Sequence, residues 1–561
     1  RLELVVGGRQ HAGCLGDLGS GTPRAFFEVE ALDPPNPLNN GLGLMPAWQT
    51  LCRPGGVLAV RLAVPRGVEG QISVEGAIAP LKQEAKETVV LAQQVSVEGE
   101  GLSVRYPLAL RGLRNGWHRL ALTARLGGRL LGRRQQEVLI CDGRDPGQFG
   151  ARYTSLRYTA PVYINYAETM PWDVLWRGKR SRDVVVDFPG RPFKFVLWRG
   201  CSYVPCWAFE NTWVTYEWLE AEPDFHGAVD CVEPIMDKEC RYSTAEIAES
   251  NPARVVIHWR YALTDFHAKI IKDEWADEYF YLYPDAIGTR HLLAWFTGYG
   301  WHENQEYLFL NRPGNHPWKA MDAQALSIFS TEGRTVHAFW PAPRFRDDGW
   351  PDLIVRANVR DAPDPFMALP GSGAYFKVWA PPYAEKPGLF NAYYHWPISH
   401  GMRTEWVDRD DWFQRPTHSN LVNVVGPAQK VLDDHSVWTW LIGISPPVHE
   451  LREVAACWLR PGIVEVLEGG ASFQGYAPSQ RAYIINCGQR PAKLRLRLVP
   501  EGDDAIISPA LVINGWRGEA RVSAPGARRV EAGQEDDGRR LVVWLEGRFD
   551  EPTVVEVWRR P

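Results

Sequence analysis

The middle of the chain is a series of short β-strand candidates that almost no helical pattern interrupts. Eleven such runs, from FKFVLW at residue 193 to VWTWLIGI at residue 437, recur between residues 148 and 450 with turn signals between them. Many short strands with aromatic residues near their ends, and no long helices, are typical of a β-propeller or a large β-sandwich. We predict an all-β chain with a central β-propeller, or alternatively a large β-sandwich, and with less than about a tenth of the chain helical.

Two segments that flank this region predict smaller β-sandwiches. The chain has 561 residues, which exceeds what one hydrophobic core usually serves. In the first segment, HRLALTARL and RLLGRRQQEVLI are joined through Gly127 and Gly128, which indicates a hairpin. The predicted domains are an immunoglobulin-like β-sandwich at 1–142, a propeller-like catalytic domain at 148–455 and a second β-sandwich at 461–561.

Composition argues against some functions and shows that tryptophan is concentrated in the middle of the chain. The formal net charge of -5 offers no basic excess for binding phosphates, so we expect no nucleic-acid partner. No stretch of eighteen uncharged apolar residues occurs, so we expect no membrane span. Nineteen of the 25 tryptophans lie between residues 148 and 450, and we therefore look there for a site.

The segment 240–263, CRYSTAEIAESNPARVVIHWRYAL, reads as a hairpin that brings basic residues together. With pairing symmetric about the turn 249–252, Arg241 lies opposite Arg260 and Ser243 opposite His258, all on one strand face. Two guanidinium groups on a covered face require an anion, because burying an unpaired charge is costly. The alternative is that Arg241 and Arg260 pair with acidic residues of a neighbouring strand.

Two further segments carry candidate site residues. The segment 391–406, NAYYHWPISHGMRTEW, places Tyr394, His395, His400 and Arg403 in a loop broken by Pro and Gly, and such loops on a rigid β scaffold often carry function. The alternative is an aromatic core beside a solvated loop. In WFTGYGWHENQEY, His302 and Asn304 are candidates for holding sugar hydroxyls. His302 and Glu306 also have the spacing of a helical metal pair, but two glycines disfavour a helix there.

Cysteines and carboxylates are candidates for other chemistry. The spacings of Cys201, Cys206, Cys231 and Cys240 are not those of a zinc finger or ribbon, which favours buried thiols or a disulfide, although a structural Zn or Ca ion stays possible. We expect no required cofactor. A sugar hydrolase needs two carboxylates, one protonated and one ionised. The chain offers two groups for that role, namely Asp277 with Glu278, and Asp408 with Asp410 and Asp411.

Three central segments together resemble a known family. DVVVDFPGRPFKFVLWRGCSYVPCW at 183–207, CRYS at 240–243 and ARVVIHWRYAL at 253–263 resemble secreted bacterial β-propeller polysaccharide lyases, the ulvan lyases in particular. The resemblance covers about residues 150–450 and leaves out both flanking segments. The chain departs from the family pattern at Thr244, where a histidine is expected after the RYS sequence.

The resemblance implies β-elimination across a uronic acid, and hence a uronate-containing anionic polysaccharide as partner. Neutralising the uronate carboxylate with arginine allows C5 to lose its proton to a histidine or tyrosine. It also implies a bacterial protein that is secreted or periplasmic, with the signal peptide absent from this chain. The expected catalytic residues are His258, Arg260, Arg241, Tyr242, His395, His400, Arg403 and Tyr394, and the expected substrate-binding residues are His302, Asn304, Trp198 and Arg199.

Two alternatives to a lyase remain. One is a glycoside hydrolase on the same scaffold that uses a pair of Asp or Glu residues. The other is a non-catalytic glycan-binding protein. Reaction products separate these alternatives, because elimination creates an unsaturated uronate that absorbs in the ultraviolet, whereas hydrolysis creates only new reducing ends.

Overall fold

A computed structural model describes most of the chain, and it divides into two compact units. The first unit comprises residues 1–38, 45–144 and 154–156, and the second comprises 39–44, 145–153 and 157–561. The described residues are 25–31, 44–46, 51–52, 55–80, 88–113, 116–140, 148–154, 156–158, 161–164, 167–171, 183–209, 212–221, 232–237, 240–265, 269–295, 302–304, 306–311, 320–339, 345–371, 373–378, 391–393, 417–488, 491–502, 504–535 and 538–559.

The amino-terminal part of the chain is built from strands alone in its described residues. These strands are β1 (Phe26–Ala31), β2 (Leu44–Pro46), β3 (Leu51–Cys52), β4 (Val57–Val64), β5 (Glu69–Pro80), β6 (Thr88–Glu98), β7 (Leu102–Ala109), β8 (Gly116–Leu126) and β9 (Arg129–Ile140).

The first unit is a small β-sandwich. A three-stranded sheet in the order β1-β4-β7 and a five-stranded sheet in the order β3-β9-β8-β5-β6 contribute to one hydrophobic core. The predicted hairpin is confirmed, because β8 pairs with β9 from Leu126 opposite Arg129 outward. Gly127 and Gly128 have φ of 54° and 84°, the positive values that a tight two-residue hairpin turn requires.

Two large antiparallel sheets dominate the second unit. Sheet A has the order β10-β14-β15-β16-β17-β24-β32-β30-β27, with β31 beside β32, and sheet B has the order β19-β20-β21-β22-β34-β29-β28-β25-β26, with β33 beside β34. The strands of this part are β10 (Gly150–Thr154), β11 (Leu156–Tyr158), β12 (Pro161–Ile164), β13 (Ala167–Pro171), β14 (Asp183–Asp187), β15 (Lys194–Trp198), β16 (Val204–Ala208), β17 (Thr212–Thr215), β18 (Glu220–Ala221), β19 (Thr244–Ser250), β20 (Val255–Thr264), β21 (Ile270–Leu282), β22 (Ile287–Trp295), β23 (His302–Glu303), β24 (Glu306–Asn311), β25 (Met321–Phe329), β26 (Thr335–Phe339), β27 (Phe345–Trp350), β28 (Leu353–Val359), β29 (Pro365–Leu369), β30 (Ala374–Val378), β31 (Asn391–Tyr393), β32 (Thr417–Val425), β33 (Lys430–Val431) and β34 (His435–Ile444).

Sheets A and B pack face to face around an aromatic interior. Phe195 of sheet A lies 5.4 Å from Phe280 of sheet B, measured between ring centres. The Tyr216 hydroxyl accepts from Trp207 Nε1 at 2.9 Å and donates to the Phe366 carbonyl of sheet B at 2.8 Å. The all-β class is confirmed. Two ten-stranded sheets correspond to the large β-sandwich alternative, and the described residues form neither radial four-stranded blades nor a closed barrel.

One α-helix occurs among the described residues, α1 (Val448–Leu459), and it leads into the last strands. These strands form a four-stranded sheet in the order β35-β38-β45-β41 and a five-stranded sheet in the order β36-β37-β40-β43-β42 around a second core. They are β35 (Ile463–Glu468), β36 (Ala471–Ala477), β37 (Ala482–Cys487), β38 (Lys493–Val499), β39 (Ile506–Ile507), β40 (Ala510–Asn514), β41 (Ala520–Ser523), β42 (Arg529–Glu535), β43 (Arg540–Glu546), β44 (Arg548–Phe549) and β45 (Thr553–Arg559).

The carboxy-terminal strands are tied to sheet B by polar contacts within the second unit. Arg481 pairs with Asp285 at 2.8 Å, and Arg254 Nη1 donates to Gln480 Oε1 at 3.0 Å. Because both parts lie in one compact unit, the predicted boundary near residue 461 stays a prediction. Among the described residues, no helix is long and apolar enough to cross a membrane.

Candidate active site

Sheet B turns one face toward sheet A, and its opposite, outer face carries the candidate site. The register aligns His258 of β20 with Tyr279 of β21, and Tyr279 with His291 of β22. Alternate residues of a strand lie on the same face, so the members of such a row and their i±2 neighbours share the outer face. We call the following set the open half: His258, Arg260, Trp275, Asp277, Tyr279, Tyr281, His291, Trp295, His435 and Thr439.

The rest of the outer face is covered by α1 and by the 3-10 turn Pro478–Gln480. Leu451 and Trp458 of α1 pack on it, and the Thr289 hydroxyl donates to the Ser479 carbonyl at 2.5 Å. We call these residues the covered half: Ile287, Thr289, Phe329, Ile354, Phe366, Ala368 and Leu441. The side chains differ sharply in exposure, since Leu441 is 0% exposed whereas the Arg260 side chain is 45% exposed.

Asp277 is the centre of the open half, because three side chains of the same face donate to its carboxylate. His258 Nε2 lies 2.7 Å from Oδ1, and Trp295 Nε1 donates to Oδ2 at 2.8 Å. The guanidinium of Arg260 forms a short hydrogen bond to the same Oδ2. These three donors come from β20 and β22, the strands on either side of Asp277, so the sheet register itself assembles the cluster.

The state of Asp277 determines the tautomer of His258. Burial alone would raise the pKa of Asp277, but hydrogen bonds from His258 and Arg260, together with the charge of Arg260, hold that pKa below its ordinary value. The carboxylate is therefore ionised at neutral pH and only accepts hydrogen bonds. The proton of neutral His258 must then lie on Nε2, which leaves Nδ1 as the basic nitrogen.

Aromatic rings fix the orientation of His258 and Arg260. The His258 and Tyr279 rings are stacked, with centres 4.5 Å apart and planes 6° from parallel. The Arg260 guanidinium lies 4.9 Å from the centre of the Trp275 ring, and Tyr242 meets Trp275 edge-on at 6.4 Å. Burial and, next, the charge of Asp277 raise the pKa of Tyr279, so its phenol is protonated at neutral pH.

The open half continues across β22 onto β34. The Trp295 and His435 rings lie 4.2 Å apart, and His435 Nδ1 contacts Asp434 at 2.7 Å. His291 Nδ1 lies 2.8 Å from the Thr439 hydroxyl, and burial lowers the pKa of His291 to about 4. His291 is therefore neutral at pH 7 and carries no charge with which to hold a substrate anion.

The predicted hairpin exists, but its predicted register is wrong. Thr244, not Arg241, lies opposite Arg260, and Glu246 lies opposite His258. Asn251 Oδ1 accepts from the backbone N–H of Ala253 at 2.8 Å and of Arg254 at 2.9 Å, which centres the turn about two residues later than expected. A bulge between Ile247 and Glu249 moves the pairing back by one residue, which still leaves Thr244, three residues after Arg241, opposite Arg260.

Two consequences follow for the predicted cluster. His258 and Arg260 do share a face, but Ser243 is buried, where its hydroxyl donates to the Ser202 carbonyl at 2.7 Å. Arg241 precedes the strand and is exposed, so the pairing that would bring it to Arg260 does not occur. Arg260 instead pairs with an acidic residue of the neighbouring strand, as the alternative held.

Two predicted substrate-binding residues, Trp198 and Asn304, are buried, and a third, Arg199, is partly exposed. Trp198 is 2% exposed and packs edge-on against Trp213, so it presents no ring face to a sugar. Arg199 Nη1 pairs with Asp183 at 3.4 Å, and Asn304 is 3% exposed, with its backbone carbonyl accepting from Arg290 at 2.8 Å. Trp198 belongs to the sandwich interior because four of the five residues of its strand, β15, are buried, so both faces of the strand are covered. The structure therefore corrects the roles predicted for Trp198 and Asn304.

The loop predicted to contribute to catalysis lies outside the described residues, as do Asp408, Asp410 and Asp411. The same holds for the side chain of His302, whose backbone pairs in β23 with β18. The residues of that loop are Tyr394, His395, His400 and Arg403.

Asp277 and Glu278 do not form a carboxylate pair. They are consecutive in β21 and point to opposite faces of the sheet, as strand geometry requires. Glu278 is 0% exposed in the interior, where Arg290 donates to both of its oxygens, at 2.6 and 2.9 Å. Asp277 and Glu278 therefore cannot serve as the two carboxylates of a hydrolase.

Cys201, Cys206 and Cys240 form no disulfide. Cys201 and Cys206 are buried, Cys240 is partly buried, and Cys231 lies outside the described residues. Burial raises the pKa of Cys206 and Cys240, which keeps both protonated. Within the described part of the chain, no group of three or more His, Cys, Asp or Glu is arranged to hold a metal ion.

Sequence reasoning missed Tyr279, Trp295 and His435, and it considered Asp277 only as a partner of Glu278. The period-two pattern of DEWADEYFYLY in β21 would have placed Asp277 and Tyr279 on one face. No local signal in the sequence predicts that β22 pairs with β34. In that pairing Trp295 lies opposite His435, which is 140 residues further along the chain.

Comparison with known proteins identifies no family. No family model and no curated protein matches the chain. Among solved structures, a cycloisomaltooligosaccharide glucanotransferase from Paenibacillus sp., complexed with cycloisomaltoheptaose, is 7% identical over 94% of this chain and 99% of that chain, with a TM-score of 0.14. A DUF4784 family protein from Bacteroides caccae is 8% identical over 62% of this chain and 93% of that chain, with a TM-score of 0.11. At these TM-scores, neither likeness bears on fold or function.

Proposed function

We propose that the chain is a polysaccharide lyase that cleaves a uronate-containing anionic glycan by β-elimination at the open half of sheet B. The observation that carries this proposal is the His258–Asp277–Arg260 cluster on a partly exposed face lined with Trp275, Tyr279 and Trp295. Aromatic rings on a sheet face provide flat surfaces for sugar rings, and the cluster supplies a base and a cation next to them.

Each step of the elimination has a residue in this cluster. Arg260, whose guanidinium keeps donors beyond the one that bonds Asp277, holds the uronate carboxylate and lowers the cost of charge at C5. His258 Nδ1 takes the C5 proton while Asp277 stabilises the imidazolium that forms. The electron pair of the C5–H bond forms the C4–C5 double bond, and the C4–O bond breaks. Tyr279, protonated and stacked on His258, donates a proton to the leaving oxygen.

A second candidate, non-catalytic glycan binding, is favoured by one observation. The charge of Arg260 is already balanced by Asp277 in the ligand-free protein, which lowers its attraction for a second carboxylate. In that case, the open half binds glycan, and His258 serves as part of the binding surface.

The test is a screen of uronate-containing polysaccharides, with ultraviolet absorbance to detect unsaturated uronate and a reducing-end assay beside it. We expect absorbance to rise with wild-type protein. We expect His258→Ala to lower the rate by about 10²- to 10⁴-fold, as for loss of a general base. His449→Ala, at an exposed histidine of α1, is the control and should match wild type.

Three outcomes contradict the proposal. Reducing ends without absorbance indicate hydrolysis. Glycan binding without either product indicates a binding protein. Full activity in His258→Ala, with an unchanged melting temperature, places the base elsewhere.

A further inference from the structure

Trp295 occupies a position that the proposed reaction does not yet use. Its indole N–H donates to Asp277 Oδ2 at 2.8 Å, while Asp277 Oδ1 contacts His258 Nε2 at 2.7 Å. Trp295 and His258 thus contact different oxygens of one carboxylate and do not compete for the same lone pair.

A hydrogen bond from Trp295 draws negative charge toward Oδ2. The carboxylate that His258 meets is then a weaker acceptor than a carboxylate without this bond, because a hydrogen bond to an ionised group stabilises its charge. A weaker acceptor stabilises the imidazolium less.

The position of Trp295 is fixed by packing as well as by this bond. Its ring lies 4.2 Å from His435, directly opposite in the β22–β34 register. Since a rigid ring presents its N–H to Asp277 without further ordering, the contact is already formed in the ligand-free protein.

We propose that Trp295 is a positioning residue of this site, one that acts through Asp277 to set the proton affinity of His258. The groups that face His258 are Glu246 on β19, Arg260 on its own strand, and Asp277 and Tyr279 on β21. Among these groups, Trp295 contacts Asp277 alone in the described contacts. Removing the Trp295 N–H therefore changes one of the interactions that act on His258, the one with Asp277. The kinetic consequence rests on the proposed function, whereas the effect on the proton affinity does not.

The experiment measures the His258 pKa by nuclear magnetic resonance of isotope-labelled histidine in the ligand-free protein. Trp295→Phe keeps an aromatic ring and removes the N–H, and we expect it to raise the His258 pKa by about 0.5 unit or more. His435→Ala removes the ring that packs against Trp295 and keeps the indole N–H. Tyr281→Phe removes a hydroxyl from the same face, two residues from Tyr279. We expect the His258 pKa to stay within about 0.2 unit of wild type in both controls.

An unchanged or lowered His258 pKa in Trp295→Phe overturns the proposal, and so does an equal shift in all three variants. If Trp295→Phe does not fold, the indole N–H resonance of Trp295 is followed in Asp277→Asn instead. We expect that resonance to move upfield on loss of the carboxylate, and an unmoved resonance overturns the proposal.

Activity then separates this proposal from the lyase. If the chain is a lyase, the acid limb of its pH profile in Trp295→Phe should move to higher pH by the same amount as the His258 pKa. A shifted pKa in a protein without lyase activity refutes the proposed function alone. Lyase activity with an unshifted pKa refutes the positioning role alone.

Discussion

The covered half and the open half of sheet B are built by the same strands and share one outer face, yet they differ in nearly every side chain. Strand β22 runs through both halves. It begins with Ile287 and Thr289, which lie under α1 and the turn Pro478–Gln480, and continues to His291 and Trp295 in the open half. Apolar residues predominate where another element covers the sheet, and all titratable residues of the two sets lie where the described part of the chain leaves it partly exposed. The comparison separates residues that stabilise the fold from residues available for chemistry.

The strongest contrast is expected between two tryptophans that face this surface. Trp458 of α1 is 3% exposed and its Nε1 donates to the Pro478 carbonyl at 3.0 Å, whereas Trp275 in the open half is partly exposed. We expect Trp458→Ala to lower the free energy of unfolding by about 3–5 kcal/mol, because it leaves a cavity under the helix. Trp275→Ala should cost about 1 kcal/mol or less, mainly the cation–π contact with Arg260. Denaturant titration followed by circular dichroism measures both, and equal losses would remove the distinction between the halves.

A smaller effect, on activity alone, is expected from Arg260→Lys. Lysine keeps the charge but lacks the planar fork, so turnover should fall by about 10²-fold, equivalent to about 2.7 kcal/mol of barrier. Arg334 provides a matched control outside the open half, since it also pairs with an aspartate, Asp347 at 2.5 Å, and lies 4.0 Å from the Trp350 ring. Arg334→Lys should leave turnover unchanged, and a comparable loss there would point to a general effect of losing stacked arginine.

The smallest effect concerns the pH dependence of stability. The pKa of Asp277 is held below its ordinary value in the folded state. Its contribution is therefore fully present above the unfolded pKa of about 3.9 and is lost as pH falls through the lower folded pKa. We expect the wild-type melting temperature to fall more steeply with acidification below about pH 4 than that of Asp277→Asn. Parallel curves for the two proteins would show that the ion pairs of the open half add nothing to folding.

Much of this fold follows from local patterns in the sequence. The all-β class, the amino-terminal hairpin at Gly127 and Gly128, and the shared face of His258 and Arg260 all follow from period-two alternation and turn chemistry. These features depend on neighbours within a few residues. They are therefore readable without knowing which distant strands pair.

The errors come from features that alternation does not encode. Asn251 accepts hydrogen bonds from the N–H groups of Ala253 and Arg254 and so places the turn of the β19–β20 hairpin later than predicted, and the following bulge recovers only one residue of that shift. Trp198 was a candidate platform because aromatic strands look alike whether one or both faces are covered. The grouping of Trp295 with His435 depends on pairing across 140 residues, for which the sequence holds no local signal.

That long separation also governs how the site comes into being during synthesis. Strand β22 ends at Trp295, and its sheet partner begins at His435, 140 residues later. At ribosomal rates of about 5–20 residues per second, roughly 7 to 28 s pass between the two. Until then, β22 has an unpaired edge whose N–H and C=O groups can join strands of other chains. A nascent chain that stops before residue 435 therefore carries His258, Asp277 and Trp295 without the strand that pairs with β22, and its unpaired edge makes it prone to aggregation.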